Sequence, residues 1–150
     1  MELILWRHAD AEDGILDAER KLTAKGIRQA ENMAAWLKER LPKETVVLVS
    51  PAKRAQQTAR ALTAKFEIRP ELGTGTAPQV VLKAAGWPHG KDAVVIVGHQ
   101  PTLGQAAALL LTGTAAEWSL KKGAVWWITH RARHGQSETL LRAVMSPELL

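Results

Sequence analysis

Glu2-Leu-Ile-Leu-Trp6 is the stretch that decides the fold, and it ends at Arg7-His8-Ala9-Asp10. A nearly continuous apolar run of this length is typical of a parallel strand that is buried on both faces of a sheet. It stops at an arginine–histidine pair, so the strand delivers two polar side chains to one point. We expect this point to bind a phosphoryl group, with Arg54 and His99 completing the site.

Two later apolar runs end in a similar way. Residues 45–49 are rich in β-branched side chains and stop at Ser50-Pro51, and residues 93–97 stop at Gly98-His99-Gln100-Pro101. Both runs read as strands. Ligands in open α/β sheets bind outside the carboxyl ends of the strands. The three strand ends are therefore expected to meet on one rim.

Helices are predicted between these strands. Thr23 is a good N-cap for a helix that ends at Pro42. Ser50 with Pro51 predicts the start of a second helix that runs to about residue 65. Two shorter helices are expected over residues 79–85 and 102–111. The side chains expected to face inward in the first helix are Ile27, Ala30, Ala34, Leu37 and Leu41.

The remaining segments predict short or antiparallel strands. Pro70 lies inside residues 66–72 and favours an edge position for that strand. Residues 124–129 and 138–144 read as an antiparallel pair joined by a polar turn around His134. Strands that alternate with helices indicate an α/β sandwich with a mainly parallel sheet. At 150 residues, the chain is expected to form one domain over residues 1–150.

The composition limits the classes of function. The net charge is +5, which fits nucleic acid, an acidic partner, an anionic small substrate, or no specific partner. The tryptophans are scattered rather than interleaved with lysine and arginine, so they do not form a stacking platform for nucleic acid. The absence of cysteine excludes disulfides, thiolate catalysis and cysteine metal sites.

The apolar segments also bear on where in the cell the protein is expected to reside. The N-terminal run is too short for a signal peptide and no basic segment precedes it. No apolar stretch approaches the roughly 20 residues that a membrane span needs. We therefore expect a cytoplasmic protein with no membrane partner.

Arg54 falls in the first turn of the predicted second helix. The helix dipole prefers an anion there, so an arginine at this point suggests that an anion is bound. The alternative is an exposed arginine that pairs with a neighbouring carboxylate. Two histidines and two arginines on one rim suit phosphoryl transfer, because guanidinium groups match phosphate oxygens and a neutral imidazole can attack phosphorus. The N-termini of the helices after Ser50 and Gln100 would add backbone N–H donors.

A metal site is the competing interpretation, since two histidines can bind zinc. No His-x-x-x-His spacing occurs, however, and two neighbouring arginines would repel a dication. We therefore expect neither a metal nor another cofactor. His89, His130 and His134 lie in predicted loops or strand ends and are interpreted as surface residues.

Four segments together resemble the histidine phosphatase (phosphoglycerate mutase-like) superfamily. Leu5-Trp-Arg7-His8-Ala9 resembles its Arg-His-Gly signature, and the blocks around Arg20–Ala30, Ser50–Ala59 and Val97–Leu103 follow in the same order. The short length and the Arg-His-Ala variant are most similar to the SixA-type phosphohistidine phosphatases. The resemblance implies a three-layer α/β/α sandwich with a mainly parallel central sheet and antiparallel C-terminal strands.

The resemblance also implies roles for single residues. His8 would be the nucleophile, and Arg7, Arg54 and His99 would form the phosphate pocket. Larger members carry an acidic general acid on an insertion that is short here. Glu71 is the nearest candidate for that acid, with Asp10 and Asp17 as rivals. Phosphoamidates need less proton donation than alkyl phosphates, so the missing insertion favours phosphohistidine on a protein.

Three hypotheses follow. The first is a metal-independent phosphatase that forms a phosphohistidine intermediate on His8 and acts on a phosphohistidine carrier protein. The second keeps this site but uses a small phosphomonoester or a nucleotide. The third is a non-catalytic phosphate-binding module, and the intact set of two histidines and two arginines argues against it. A nucleic-acid partner would explain the charge but not the histidines.

Overall fold

The chain forms six strands and four α-helices in a computed structural model that describes residues 1–150. The strands are β1 (Glu2–Arg7), β2 (Val46–Val49), β3 (Glu67–Ile68), β4 (Ala93–Gly98), β5 (Val125–Arg133) and β6 (Gln136–Met145). The helices are α1 (Ala24–Lys38), α2 (Lys53–Leu62), α3 (Pro78–Ala85) and α4 (Thr102–Thr112). None of the helices is long and apolar enough to cross a membrane.

All six strands lie in one sheet, in the order β3-β2-β4-β1-β5-β6. The first four of these run parallel, and β5 and β6 are antiparallel to their neighbours. This confirms the predicted α/β fold with a mainly parallel sheet and antiparallel C-terminal strands. The parallel strands β2, β4 and β1 are adjacent, so their carboxyl ends lie side by side.

Two apolar clusters cover the two faces of the sheet. Alternate residues of β1 enter different clusters, with Leu3 and Leu5 on one face and Ile4 and Trp6 on the other. Side chains from α3 and α4 pack on the first face, and side chains from α1 and α2 pack on the second. The result is a three-layer sandwich in which β1 is buried from Leu3 to Trp6, as its continuous apolar sequence predicts.

The inward face of α1 is confirmed at Ala30, Ala34 and Leu37, but the prediction is wrong at Ile27. Ile27 is exposed, whereas Gly26 and Met33 are buried. The reason is a close approach of the backbone, because the start of α1 packs directly on the chain that leaves β1. Only glycine fits at that contact, so position 26 faces inward and position 27 faces solvent. The helix also ends at Lys38, one turn earlier than predicted.

The second helix starts later than Ser50 and Pro51 suggest. It begins at Lys53 after Ala52, which has no capping side chain. Ser50 instead accepts a hydrogen bond from the Ala52 amide while its hydroxyl contacts His99. A buried partner far away in sequence thus replaces the predicted cap.

Smaller departures from the prediction concern strand lengths and one histidine. The strand expected over 66–72 is only two residues long, although it does lie at the edge of the sheet. The C-terminal hairpin is longer than predicted, with His134 in its turn. The interpretation of His130 as a surface residue is wrong, because its ring is half-buried and packs against Trp87 at 5.6 Å between centroids.

Gly26 provides a prediction about stability. A β-carbon at this position would lie 2.0 Å from the Asp10 carbonyl oxygen, so either the helix or the chain after His8 must move. We expect Gly26→Ala to lower the free energy of unfolding by about 1–3 kcal/mol, the usual cost of overpacking. Urea denaturation followed by circular dichroism measures this change.

Gly73→Ala is the matched control, because a β-carbon there comes no closer than 3.4 Å to a neighbouring atom and the backbone φ of −63° suits alanine. The control should leave the unfolding midpoint nearly unchanged. Equal stability of the two variants would contradict the proposed close contact at Gly26.

Candidate active site

Adjacent strand ends bring together His8, Ser50 and His99, which are distant in sequence. Arg7 at the end of β1 pairs with Gly98 at the end of β4, so His8 and His99 follow neighbouring strands. Ser50 follows β2 on the other side of β4, and its amide donates to the Val97 carbonyl. The two imidazole rings have centroids 5.2 Å apart.

The hydrogen bonds of His8 define its tautomer. Its Nδ1 lies 2.8 Å from the Ala9 carbonyl oxygen, which can only accept, so Nδ1 carries the proton. On a neutral ring Nε2 then has a free electron pair, and this atom receives the Arg54 Nε–H at 3.4 Å. The ring is held with an electron-rich nitrogen facing a cation.

Burial keeps His8 neutral. The residue is only 7% exposed, and its pKa is lowered from 6.5 to about 4, mainly by desolvation. The hydrogen bond to the Ala9 carbonyl opposes this shift in the pKa, and the positive charges of Arg54, Arg7 and Arg20 add to it. At pH 7 the ring is therefore uncharged, which is the form that can attack phosphorus.

Arg54 lies in the first turn of α2 and is 3% exposed. It donates from Nη1 to the Asp17 carbonyl at 2.7 Å and from Nη2 to the Asp17 carboxylate at 3.1 Å. It is thus a buried cation rather than an exposed one, although it does form the ion pair considered as an alternative. Its Nε remains directed at His8, which places its positive charge beside the electron-rich nitrogen.

Arg7 and His99 each leave one buried nitrogen without a partner. Arg7 donates from Nη1 to the Leu120 carbonyl at 2.8 Å, but its buried Nε makes no hydrogen bond. The buried Nδ1 of His99 likewise makes none. An unpaired buried polar group costs about 1–3 kcal/mol, so these two nitrogens are polar atoms that no group of the protein satisfies.

His99 is buried and neutral as well. Its Nε2 lies 2.7 Å from the Ser50 hydroxyl, and the residue is 4% exposed. The pKa of His99 is lowered to about 3, mainly by desolvation, and the positive charge of Arg54 acts in the same direction. The nearby Asp17 carboxylate opposes this shift in the pKa.

The three candidate acids are all engaged as carboxylates. Hydrogen bonds from Arg20 and then from Arg54 lower the pKa of Asp17. Hydrogen bonds from Thr23 and Lys122 lower the pKa of Asp10, and an exposed pairing with Arg69 lowers the pKa of Glu71. Among the three, only Asp17 contacts the group around His8. A carboxylate with a lowered pKa is a poor proton donor at neutral pH.

Gln100 is held at the start of α4. Its side-chain Oε1 accepts from the Gly104 amide at 2.7 Å, and its Nε2 donates to the Trp118 carbonyl at 2.8 Å. Its backbone N–H donates no hydrogen bond within the protein. The backbone N–H that the sequence analysis predicted as a donor is therefore available next to His99.

Sequence reasoning missed two buried hydroxyls. Ser50 contacts His99, and Thr58 links the chain after β1 to α2, since its hydroxyl accepts from the Ala9 amide at 3.0 Å and donates to the Arg54 carbonyl at 2.8 Å. Thr58 lies one helical turn after Arg54, so the sequence could have shown that the two side chains lie on the same face of the helix. Nothing in the local sequence of Ser50 points to His99.

No group of three or more histidine, cysteine, aspartate or glutamate side chains is arranged to hold a metal ion. Arginines occupy the positions around the two histidines where further ligands would be needed. The arrangement suits an anion rather than a cation.

The lowered pKa of His8 predicts how stability depends on pH. The unfolded chain takes up a proton at this histidine near pH 6.5, but the folded chain does so only near pH 4. The unfolded state therefore binds more protons between these values, and the free energy of unfolding falls as the pH drops from 6.5 towards 4. The slope from one such group reaches about 1.4 kcal/mol per pH unit.

Urea denaturation of the wild type and of His8→Asn at several pH values isolates this contribution. The variant should lose less stability than the wild type between pH 6.5 and 4. Parallel pH profiles for the two proteins would show that His8 is not held neutral by the fold.

The model of the histidine phosphatase superfamily (branch 1) matches residues 3–75, which include Arg7, His8 and Arg54. An uncharacterised protein of Picosynechococcus sp. is 37% identical over 113 residues, which are 69% of this chain and 68% of that protein. The chain belongs to the histidine phosphatase superfamily.

Two further similarities place it within this superfamily. Phosphohistidine phosphatase SixA of Escherichia coli is 38% identical over 79 residues, or 48% of this chain and 49% of that protein. A solved structure of the protein histidine phosphatase SixA with tungstate aligns at a TM-score of 0.82 and 28% identity, covering 99% of both chains. This member of the superfamily is accordingly a SixA-like phosphatase, and the predicted family and enzyme class are confirmed.

Proposed function

We propose that the chain is a metal-independent phosphatase that forms a covalent phosphohistidine intermediate on His8. The observation that carries this proposal is the neutral His8 ring, whose Nδ1 is fixed by the Ala9 carbonyl and whose Nε2 faces Arg54. Nε2 thus has the electron pair, the orientation and the neighbouring positive charge that attack on phosphorus requires.

The phosphoryl oxygens would lie among the donors around His8. Arg54, the unpaired Nε of Arg7 and the unpaired Nδ1 of His99 surround this point, and the Gln100 backbone N–H is free beside it. Because charge spreads over the phosphoryl oxygens in the transition state, donors fixed in this way lower the barrier. We assign Arg7, Arg54, His99 and the Gln100 amide to phosphate binding.

The reaction proceeds in two displacements. In the first, Nε2 of His8 forms a bond to phosphorus while the bond to the leaving group breaks, and the leaving group takes the bonding electrons. In the second, water attacks the phosphorus, releases inorganic phosphate and returns the electron pair to Nε2. His8 ends in its starting tautomer, since the Ala9 carbonyl holds the Nδ1 proton throughout.

Phosphohistidine on a protein is the proposed substrate. Asp10, Asp17 and Glu71 are all ion-paired with lowered pKa values, so none is assigned as a general acid. A phosphorylated imidazole can be protonated by solvent on its other nitrogen and then leaves as a neutral ring. An alkyl phosphate has no such route and needs an enzymatic acid. The two SixA relatives, one named a phosphohistidine phosphatase and the other a protein histidine phosphatase, support the same choice.

A substrate panel tests this choice. The panel sets a histidine-phosphorylated carrier protein and free phosphohistidine against glycerol phosphate and a nucleoside monophosphate, in buffer with a chelator. We expect kcat/KM for the two phosphohistidine substrates to exceed that for the phosphomonoesters by at least about 100-fold. The reason is that no acid of the site is available to protonate the leaving group of an ester.

Equal or greater activity on the phosphomonoesters would replace this proposal with a small-molecule phosphatase that uses the same site. Loss of activity in the chelator would contradict the metal-independent mechanism. Activity on free phosphohistidine but not on the carrier would contradict a protein substrate.

A further inference from the structure

Ser50 is a buried hydroxyl that the reaction outlined above does not use. The residue is fully buried between the end of β2 and the start of α2. Its Oγ has two neighbours within hydrogen-bond distance, the Ala52 amide at 3.2 Å and His99 Nε2 at 2.7 Å. Ser50 therefore contacts a residue of the phosphate pocket without belonging to the pocket itself.

The two neighbours of Ser50 decide where its proton lies. The Ala52 amide can only donate, so Oγ accepts from it. His99 Nε2 is then the single acceptor within reach of the Ser50 hydroxyl proton. If Ser50 donates to Nε2, that nitrogen is unprotonated, and the proton of the neutral His99 ring lies on Nδ1.

We propose that Ser50 is a positioning residue that holds His99 in the Nδ1–H tautomer, so that Nδ1 donates a hydrogen bond to the phosphoryl group of the substrate. This proposal rests on the proposed function only in that it takes the acceptor of the Nδ1 hydrogen bond to be a phosphoryl group. His99 Nδ1 is buried and has no partner in the protein, which fits a donor that is reserved for a ligand.

The opposite tautomer would be unfavourable in two ways. With the proton on Nε2, the Ser50 hydroxyl proton would be buried with no acceptor. Nδ1 would then present an electron pair to the phosphoryl oxygens, which are negatively charged, and the contact would be repulsive. Burial and the charge of Arg54 lower the pKa of His99 and so disfavour a protonated ring as well.

One hydrogen bond to each ring thus gives the two histidines different roles. The Ala9 carbonyl binds the Nδ1–H of His8 and leaves an electron pair on Nε2. The Ser50 hydroxyl occupies the electron pair on Nε2 of His99 and leaves the Nδ1–H as a donor. Both rings carry the same tautomer, yet one is prepared to attack phosphorus and the other to hold its oxygens.

Nitrogen NMR of the ligand-free protein tests the assignment directly. Long-range proton–nitrogen spectra of the uniformly ¹⁵N-labelled protein at pH 7 distinguish protonated from unprotonated ring nitrogens. We expect His99 to show the Nδ1–H pattern in the wild type and to shift towards Nε2–H in Ser50→Ala. Ser50→Thr, which keeps the hydroxyl, should retain the Nδ1–H pattern, and the signals of His8 serve as an internal control in each spectrum.

Binding of inorganic phosphate gives a second measurement. Loss of the fixed donor should raise the Kd for inorganic phosphate about tenfold in Ser50→Ala, which is the equivalent of one hydrogen bond. Ser50→Thr should change this Kd little. A wild-type His99 in the Nε2–H form would overturn the proposal, even if no variant folds. So would an unchanged Nδ1–H pattern in a folded Ser50→Ala.

The two proposals fail independently of each other. The tautomer of His99 is measured without substrate, so it stands or falls whether or not His8 becomes phosphorylated. A correct tautomer in a protein that never forms phosphohistidine would contradict the proposed mechanism alone.

Discussion

Replacing His8 with asparagine is expected to abolish phosphatase turnover. Asparagine keeps a polar side chain of similar size, but its amide nitrogen has no free electron pair to attack phosphorus. Loss of a covalent nucleophile typically costs about 10⁴-fold or more in kcat, because the remaining groups bind the substrate without opening the two-step route. The expected result is therefore no turnover above background in His8→Asn.

Steady-state release of inorganic phosphate from phosphohistidine measures this loss. His134→Asn is the matched control, since it makes the same substitution at an exposed histidine in the β5–β6 turn. The backbone there has a φ of +51°, which asparagine tolerates well. The control should retain activity within about twofold. A His8→Asn protein that still turns over would remove His8 from the role of nucleophile.

Replacing Arg54 with alanine is expected to give the second largest loss. Arg54 lies against His8 Nε2, so its charge meets the phosphoryl oxygens as they become more negative. Removing one such donor costs about 3–4 kcal/mol of transition-state stabilisation, or roughly 10²–10³-fold in kcat/KM. Arg54→Lys should recover little, because an ammonium group cannot reproduce the planar fork of donors.

Arg60→Ala is the control for Arg54→Ala, as it removes an exposed arginine from the same helix. Kinetics and thermal denaturation of both variants separate catalysis from folding. Asp17 is largely exposed and keeps its pairing with Arg20, so Arg54→Ala should leave no buried carboxylate behind. Full activity of Arg54→Ala, or equal losses in the two variants, would contradict the assigned role.

The features that could be predicted from sequence are those recorded in local patterns. Buried parallel strands read as continuous apolar runs, so β1, β2 and β4 could be located from residues alone. Parallel strands also share the edge at which they end. The polar residues that follow them, His8 and His99, could therefore be expected to lie close together. Arg54 could be expected near them as well, because it lies in the first turn of the helix that begins just after β2.

Contacts made by single side chains across the sheet could not be predicted. Ser50 followed by Pro51 has the pattern of a helix cap, but its hydroxyl contacts His99, which is 49 residues away. The local pattern contains no information about that partner. The exposure of Ile27 was missed for a related reason, because the contact between its neighbour Gly26 and the Asp10 carbonyl depends on how two segments pack.

Asp17 illustrates a third limit. Residues 9–22 have no period, so the sequence offered Asp17 only as one of several acids. The structure places it in a short 3-10 turn, where its carbonyl and its carboxylate both bind Arg54. A carboxylate in that position accepts hydrogen bonds and has a lowered pKa, which is opposite to the requirement for a general acid.

The central claim is that the phosphoryl group passes through Nε2 of His8. Rapid quenching of the reaction in alkali, followed by peptide mass spectrometry, tests it most directly, because the phosphorus–nitrogen bond survives alkali. We expect a phosphorylated peptide that contains His8, that forms within the first turnover and that decays as inorganic phosphate appears. Turnover with no phosphate on His8 at any time, or with the phosphate on another residue, would contradict it.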